Sequence, residues 1–495
     1  MQKLNIIKGI ATSFMFLYVF SACTSNKTGL PNIAADNRDD ALCISSNDTL
    51  LVKIFNWAVN TSESYVGDVS DPVGPWYEAA LPQREAFCMR DVSHQCIGEE
   101  INGHNKENLN MLTKFVENIS EGKDYCSYWE INRHNLPAPV DYENDQDFWY
   151  NLTANFDVMN AAYRLYEWTG DETYIKDQRF LDFYALTANE YIERWQLGTN
   201  DIMNRKAIMN ERNTAEKKRF KGVRGLPSYE ESVPNLKVTG DLLATIYRGL
   251  KSYSKILCLN GDPEKSKSVS LMADEYQKLY DALWWNEGSS QYYSYCLTDD
   301  TFKEGGTNMF TVWFDFSQNP ERVNNILDLM EKKETNVESM SYYPSIFYKY
   351  GRKESAYRFL KDLFINERRD YPEVSSGVIE GVVSGLAGVR VKSSENMVET
   401  CPNLTKETNW VAVENIPVMK GKISVMHYNK SESELVNKSA ESFIWRAFFP
   451  GKYNKVEKDG EVLPMKQFED LLGNVYSYVE VESAPGKSVC VKLIE

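Results

Sequence analysis

Tyr371-Pro372-Glu373-Val374-Ser375-Ser376-Gly377-Val378-Ile379-Glu380-Gly381-Val382-Val383-Ser384-Gly385-Leu386-Ala387-Gly388-Val389 carries four glycines at intervals of four, four and three residues. At 3.6 residues per turn they fall on one face of a helix. A glycine in a helix interior costs roughly 1 kcal/mol relative to alanine. A stripe of them is tolerated where the missing Cβ atoms let another helix approach closely, as an inner helix ringed by others requires. The stretch is too short to cross a bilayer and carries Glu380.

Working outward, the same helix, loop, helix rhythm extends back to Arg90. The apolar spacing predicts helices near 50–61 and over 91–120, 145–169, 172–197, 238–258, 264–285, 307–316, 320–332, 338–350, 352–367 and 375–389. Gly170-Asp171 and Gly261-Asp262 punctuate two of the hairpins, since glycine ends one helix and aspartate caps the next. Gly351 marks a third turn. Repeated antiparallel pairs of this length imply a mainly α toroid of helical hairpins, with no parallel sheet inside it. After Met397 the period changes. Trp410–Val413, Ile423–Met426, Phe443–Phe448, Tyr476–Val481 and Val489–Leu493 read as short strands of a small antiparallel, sandwich-like β domain. The expected division is a helical domain over 48–397 and a β domain over 398–495.

Upstream, Lys3 and Lys8 precede an apolar run from Ile10 to Phe20 that ends in Ser21-Ala22-Cys23. The basic, apolar, small-residue order predicts a signal peptide over 1–22. Ser-Ala-Cys resembles a bacterial lipobox, which implies cleavage before Cys23, a diacylglyceryl group on its sulfur and a place in the cell envelope. Residues 23–47 then read as a polar tether. The other eight cysteines are scattered without a CxxC, and read mostly as buried small apolar residues. Four histidines without ligand spacing give no metal site. A net charge of −16 argues against a nucleic-acid partner, which needs a basic footprint, and leaves the lipid as the only membrane attachment.

No Walker loop, dinucleotide fingerprint, GxSxG elbow or HExxH is present, so no cofactor is expected. What remains is carboxylates beside aromatic residues in the loops between helices, in a chain with 13% aromatics. Glycoside hydrolysis needs that pairing: a protonated carboxylic acid and a carboxylate across a sugar-sized gap, with rings to stack on the sugar. Four segments supply it. They are Arg90-Asp91; Trp129-Glu130 followed by Asp145, Asp147 and Trp149; Tyr229-Glu230-Glu231; and Tyr371-Pro372-Glu373.

The order of these segments resembles the six-hairpin glycosidases, among them glucoamylase, trehalase, α-L-rhamnosidase and the debranching-type enzymes. The resemblance implies an (α/α)6 barrel over most of 48–495. It implies that Arg90 and Asp91 grip the hydroxyls of a terminal sugar, with Trp129, Glu130, Asp147, Trp149 and Tyr229 lining the substrate site. It places the general acid at Glu230 or Glu231 and the general base at Glu373, in an inverting, exo-acting hydrolase of oligo- or polysaccharides. Tyr229 stands where glucoamylases have tryptophan. Glu380, two turns beyond Glu373, competes for the role of base, and Glu373 is favoured because it stands before the helix, at the barrel mouth. A rival reading is an unsaturated uronyl hydrolase, with Asp91, Asp145 or Asp147 central. The basic run Arg212, Lys217, Lys218, Arg219, Lys221 and Arg224 would then face uronate carboxylates. A rival of another class is a glycan-binding lipoprotein without catalysis.

Overall fold

The structure is a computed structural model that describes residues 40–206, 220 and 223–494. The signal sequence, Cys23 and the basic residues Arg212, Lys217, Lys218, Arg219 and Lys221 lie outside these residues.

The principal helices are α1 (Thr49–Glu63), α2 (Met89–Asn102), α3 (Asn105–Glu117), α4 (Ala154–Thr169), α5 (Gln178–Leu186) and α6 (Gly240–Leu259). They continue as α7 (Pro263–Leu283), α8 (Met309–Trp313), α9 (Pro320–Lys332), α10 (Tyr343–Lys349), α11 (Lys353–Ile365) and α12 (Pro372–Glu380). The hairpin punctuation acts as the sequence implies. Gly170 closes α4 in the left-handed region, and Asp262 accepts a hydrogen bond from the Lys265 N–H at 3.0 Å to cap α7. Two long helical readings are corrected. The stretch 91–120 breaks at Gly103 (φ 101°), and the helix read from 145 starts only at Ala154, because 142–151 are spent on short strands.

α2, α4, α6 and α12 form the inner layer. α12 packs on α1 and α2, α2 on α4, α4 on α6, and α6 on α7 and α8. At the end of α10, Lys349 Nζ and the Tyr350 hydroxyl both donate to the Val312 carbonyl at the end of α8. The glycine stripe serves the close approach. A Cβ on Gly377 would stand 2.6 Å from the Ser341 carbonyl oxygen, and one on Gly381 would stand 2.7 Å from the Pro344 Cβ. From Gly381 to Leu386 the helix widens into a π-turn. The tightest crossing is on α2, where a Cβ on Gly98 would run into the Ser376 carbonyl of α12. Backbone cannot retreat as a side-chain tip can. Gly98→Ala is therefore expected to cost about 1–3 kcal/mol in denaturant unfolding, and wild-type stability would contradict this packing.

The C-terminal region forms two sheets. One orders the strands Cys43–Ser46, Trp410–Val418, Gly421–Tyr428, Glu432–Asn437, Ser488–Leu493, Lys455–Lys458 and Glu461–Pro464. The other orders Arg390–Lys392, Met397–Thr400, Phe443–Pro450, Val475–Ser483 and Lys466–Glu469. Strict alternation buries Phe443, Trp445, Ala447 and Phe449 from one strand. Three features depart from the sequence reading. Cys43–Ser46, inside the stretch read as tether, is an edge strand paired with Trp410–Val418. Met397–Thr400 runs parallel to Phe443–Pro450, so the β region is not purely antiparallel. Within the helical region Tyr150–Asn151 pairs parallel with Arg224–Leu226 across a connection that contains α4 and α5, so the expectation of no parallel sheet there fails, although the pair is only two to three residues long.

The β sheets dock on the later turns of the inner helices. Trp168 Nε1 donates to the Pro417 carbonyl at 2.7 Å, and His427 Nε2 meets the Ala387 carbonyl at 2.9 Å. The first turns of α2, α4, α6 and α12 are thus left to loops at the opposite end. No described helix is long and apolar enough to cross a membrane.

Candidate active site

Arg90, in the first turn of α2, is the hub of that loop-covered end. Its Nε donates to Asp91 Oδ1 at 3.3 Å, and its Nη1 reaches the Tyr229 carbonyl and Glu231 Oε1, each at 3.4 Å. The guanidinium lies 5.7 Å from the Trp129 ring and 5.8 Å from the Tyr229 ring. Such a planar cation between two rings is held by cation–π attraction as well as by its ion pairs. Glu231 also accepts from Asn151 Nδ2 at 3.3 Å. The Tyr229 ring stacks on Phe310 at 4.0 Å, and its hydroxyl donates to Asp157 in the first turn of α4. Its backbone N–H donates to Asp241 in the first turn of α6 at 2.6 Å. Glu373 enters from the first turn of α12, and Gln95 of α2 bridges the two helices by accepting from the Glu373 N–H and donating to the Asp91 carbonyl.

Three buried carboxyl groups, Asp157, Asp241 and Glu373, and the half-buried Asp91 therefore converge from the first turns of four helices. A helix N-terminus favours the charged form by about 0.3–1 kcal/mol. Burial works the other way and is larger, so it decides the outcome. It pushes Asp91 up to about 6, against the pull of Arg90. It pushes Glu373 well above the usual carboxylate range, with the charges of Asp91 and Glu338 adding to the effect. Asp157 is raised to about 8 by burial, against the Tyr229 hydroxyl bond, and Asp241 to about 6. Tyr342, which stacks on His94 at 3.4 Å, is pushed up by burial and by the charge of Glu373.

The other sequence candidates fall elsewhere. Glu230, next to Glu231, turns away from Arg90 and accepts from Ser232 Oγ. Glu130 is buried 3.1 Å from Arg84 Nε, angled off hydrogen-bond geometry, and burial with a hydrogen bond to Asp141 raises it. Asp147 accepts from the Phe220 N–H at 2.9 Å and Asp145 from the Tyr142 hydroxyl, so both organise their own loop. Trp149 Nε1 donates to Asn151 Oδ1 at 3.1 Å, and Asn151 in turn donates to Glu231, so Trp149 stands one residue removed from the cluster. Glu380 is paired with Arg164 at 2.6 Å, deeper along the helices, and does not compete with Glu373. Asp157, Asp241, Asn151, Gln95, Phe310 and Tyr342 complete the cluster and were not singled out in the sequence. The one signal for the two aspartates is an acid within four residues of a helix start.

Asp157 gives a sign-determined pH effect. Its proton is held more tightly in the folded chain, near 8, than in a free carboxyl at 3.8. Stability is then complete below the free value and falls as pH rises toward 8, by up to about 1.4 kcal/mol per pH unit in that window. Asp157→Asn keeps the neutral form at every pH. Its melting temperature should exceed that of wild type at pH 8 and match it at pH 4, and parallel curves would contradict the assignment.

No family model and no curated protein sequence matches the chain. Its fold is similar to that of a GH78 family rhamnosidase of Bacillus sp. GL1 (TM-score 0.57, 12% identity, 81% of this chain and 41% of that one). It is also similar to an α-L-rhamnosidase from Dictyoglumus thermophilum (TM-score 0.59, 12% identity, 92% of this chain and 50% of that one). The chain spans half the length of these proteins or less, and likeness at this identity concerns the fold.

Proposed function

We propose that this chain is a glycoside hydrolase of the six-hairpin type, with the Arg90 cluster as its active site. The observation that carries the reading is the convergence on Arg90, clamped between Trp129 and Tyr229, of a carboxylate in an ion pair (Glu231) and a buried carboxyl raised toward its neutral form (Glu373). An (α/α)6 toroid is supported by one cavity whose walls come from α2, α4, α6, α8, α10 and α12 in turn. Exo-action on the end of a sugar chain belongs to the same reading.

The protonation pattern favours the reverse of the roles that the resemblance implies. Glu373, neutral, delivers its proton to the glycosidic oxygen as the bond from that oxygen to the anomeric carbon breaks. Glu231, in its ion pair with Arg90, takes a proton from the water that attacks the anomeric carbon from the other face. Arg90 and Asp91 bind sugar hydroxyls, and Trp129 and Tyr229 flank the ring. An inverting reaction needs about 6.5–9.5 Å between the two carboxyl groups to admit that water. Of the basic run that the uronyl hydrolase reading would use, Arg224 is committed to Asp124 and to the face of Phe148, and the other five residues lie outside the described residues.

Reducing-sugar release from a panel of oligosaccharides and aryl glycosides, α-L-rhamnosides included, tests the function. Binding without turnover across the panel would leave the glycan-binding alternative. Export with a lipid on Cys23 belongs to the same proposal. Cys23→Ser should release the protein from the membrane fraction, and unchanged membrane attachment would refute the anchor.

A further inference from the structure

A cavity of about 360 Å³ lies behind the catalytic cluster, among the later turns of the same helices and against the strand Arg390–Lys392. Its size suits a small ligand. It is separated from the cluster by a layer of rings: His94 stacks on Tyr342 at 3.4 Å and meets Trp313 edge-on at 5.9 Å. We propose that this cavity is a second binding site, for a small acidic sugar such as a uronic acid.

The lining is cationic in a chain of net charge −16. Five basic residues (Arg164, Arg248, Lys349, Arg390, Lys392) face three acids (Glu167, Asp315, Glu380). The bland account is that cations satisfy helix C-termini. It covers Lys349, which donates to the Val312 and Trp313 carbonyls at 3.1 and 3.2 Å. It does not cover Arg164, which stands in the body of α4. Arg164 Nη2 donates to Glu380 Oε1 at 2.6 Å and the guanidinium lies 5.2 Å from the Trp313 ring. Arg248 and Lys349 share the single carboxylate of Asp315, so the lining keeps an excess of positive charge that an anionic ligand would balance.

The remaining chemistry selects among anions. A bare inorganic anion would meet the carboxylates of Glu380 and Asp315. A sugar acid presents hydroxyl donors to them, its carboxylate to Arg164, and a ring face to Tyr163 or Trp313.

Calorimetric titration with D-galacturonate and D-glucuronate, beside D-glucose and inorganic phosphate, tests this. One uronate should bind per chain at least tenfold more tightly than glucose or phosphate. The double variant Arg164→Gln/Glu380→Gln removes the ion pair together, so that no buried charge is left alone, and should weaken uronate binding at least tenfold. If it fails to fold, Arg390→Gln at the exposed rim should weaken binding at least threefold. Binding unchanged in these variants, or equal for phosphate or glucose, overturns the proposal. So does binding that survives them and is lost in Arg90→Lys, because the sugar would then occupy the catalytic cluster. The hydrolase reading is untouched by any of these results.

Discussion

Glu373→Gln should lower kcat about 10²–10⁴-fold on oligosaccharides, whose leaving groups need a proton. On a dinitrophenyl glycoside, whose leaving group departs without one, turnover should stay within about tenfold of wild type. Glutamine replaces a carboxyl that burial already holds neutral, so the melting temperature should barely move. The substrate split separates the two roles open to this residue. A general base is needed whatever the leaving group. Equal loss on both substrates, reversed by azide with inverted stereochemistry, would make Glu373 the base and Glu231 the acid. Full activity on oligosaccharides would remove Glu373 from the mechanism altogether.

Arg90→Lys should be nearly as damaging although it keeps the charge. A lysine cannot reach Asp91, the Tyr229 carbonyl and Glu231 together, and it has no plane to lie between Trp129 and Tyr229. Displacing reacting groups by about 1 Å costs on the order of 10²-fold, so kcat/KM should fall by about that factor or more. The loss should appear in KM as well as kcat, because a sugar-binding cation moves at the same time. Wild-type kcat/KM in Arg90→Lys would mean that the ring clamp is only a packing device.

The sequence speaks clearly about the site where chemistry and helix starts coincide. Arg90-Asp91 and Pro372-Glu373 stand out because charged side chains sit in the first turn of a helix. It speaks poorly inside loops. Glu230 and Glu231 are neighbours of one type, and only the turn after Ser228 decides which of them faces Arg90. Glu130 looked equally suitable, but Arg84, distant in sequence, claims it. Asp157 and Asp241 look like ordinary first-turn acids, and only the packing of four helices buries them and pushes them toward the neutral form, Asp157 further than Asp241. The same limit holds for the fold. Long amphipathic helices announce themselves, as do strands with strict alternation such as Phe443–Pro450. Cys43–Ser46 has too little pattern to be read, because its pairing rests on a partner strand hundreds of residues away.

That distant partner puts a clock on biosynthesis. Ser46 bonds to a residue 364 positions later, so this strand cannot dock until its partner strand has been made. At about 5–20 residues per second it waits roughly 20–70 s as an unpaired segment. Nascent chains arrested before residue 410 should therefore expose 43–46 to protease while the early helices already resist it. The fold closes only when the strand Trp410–Val418 captures Cys43–Ser46.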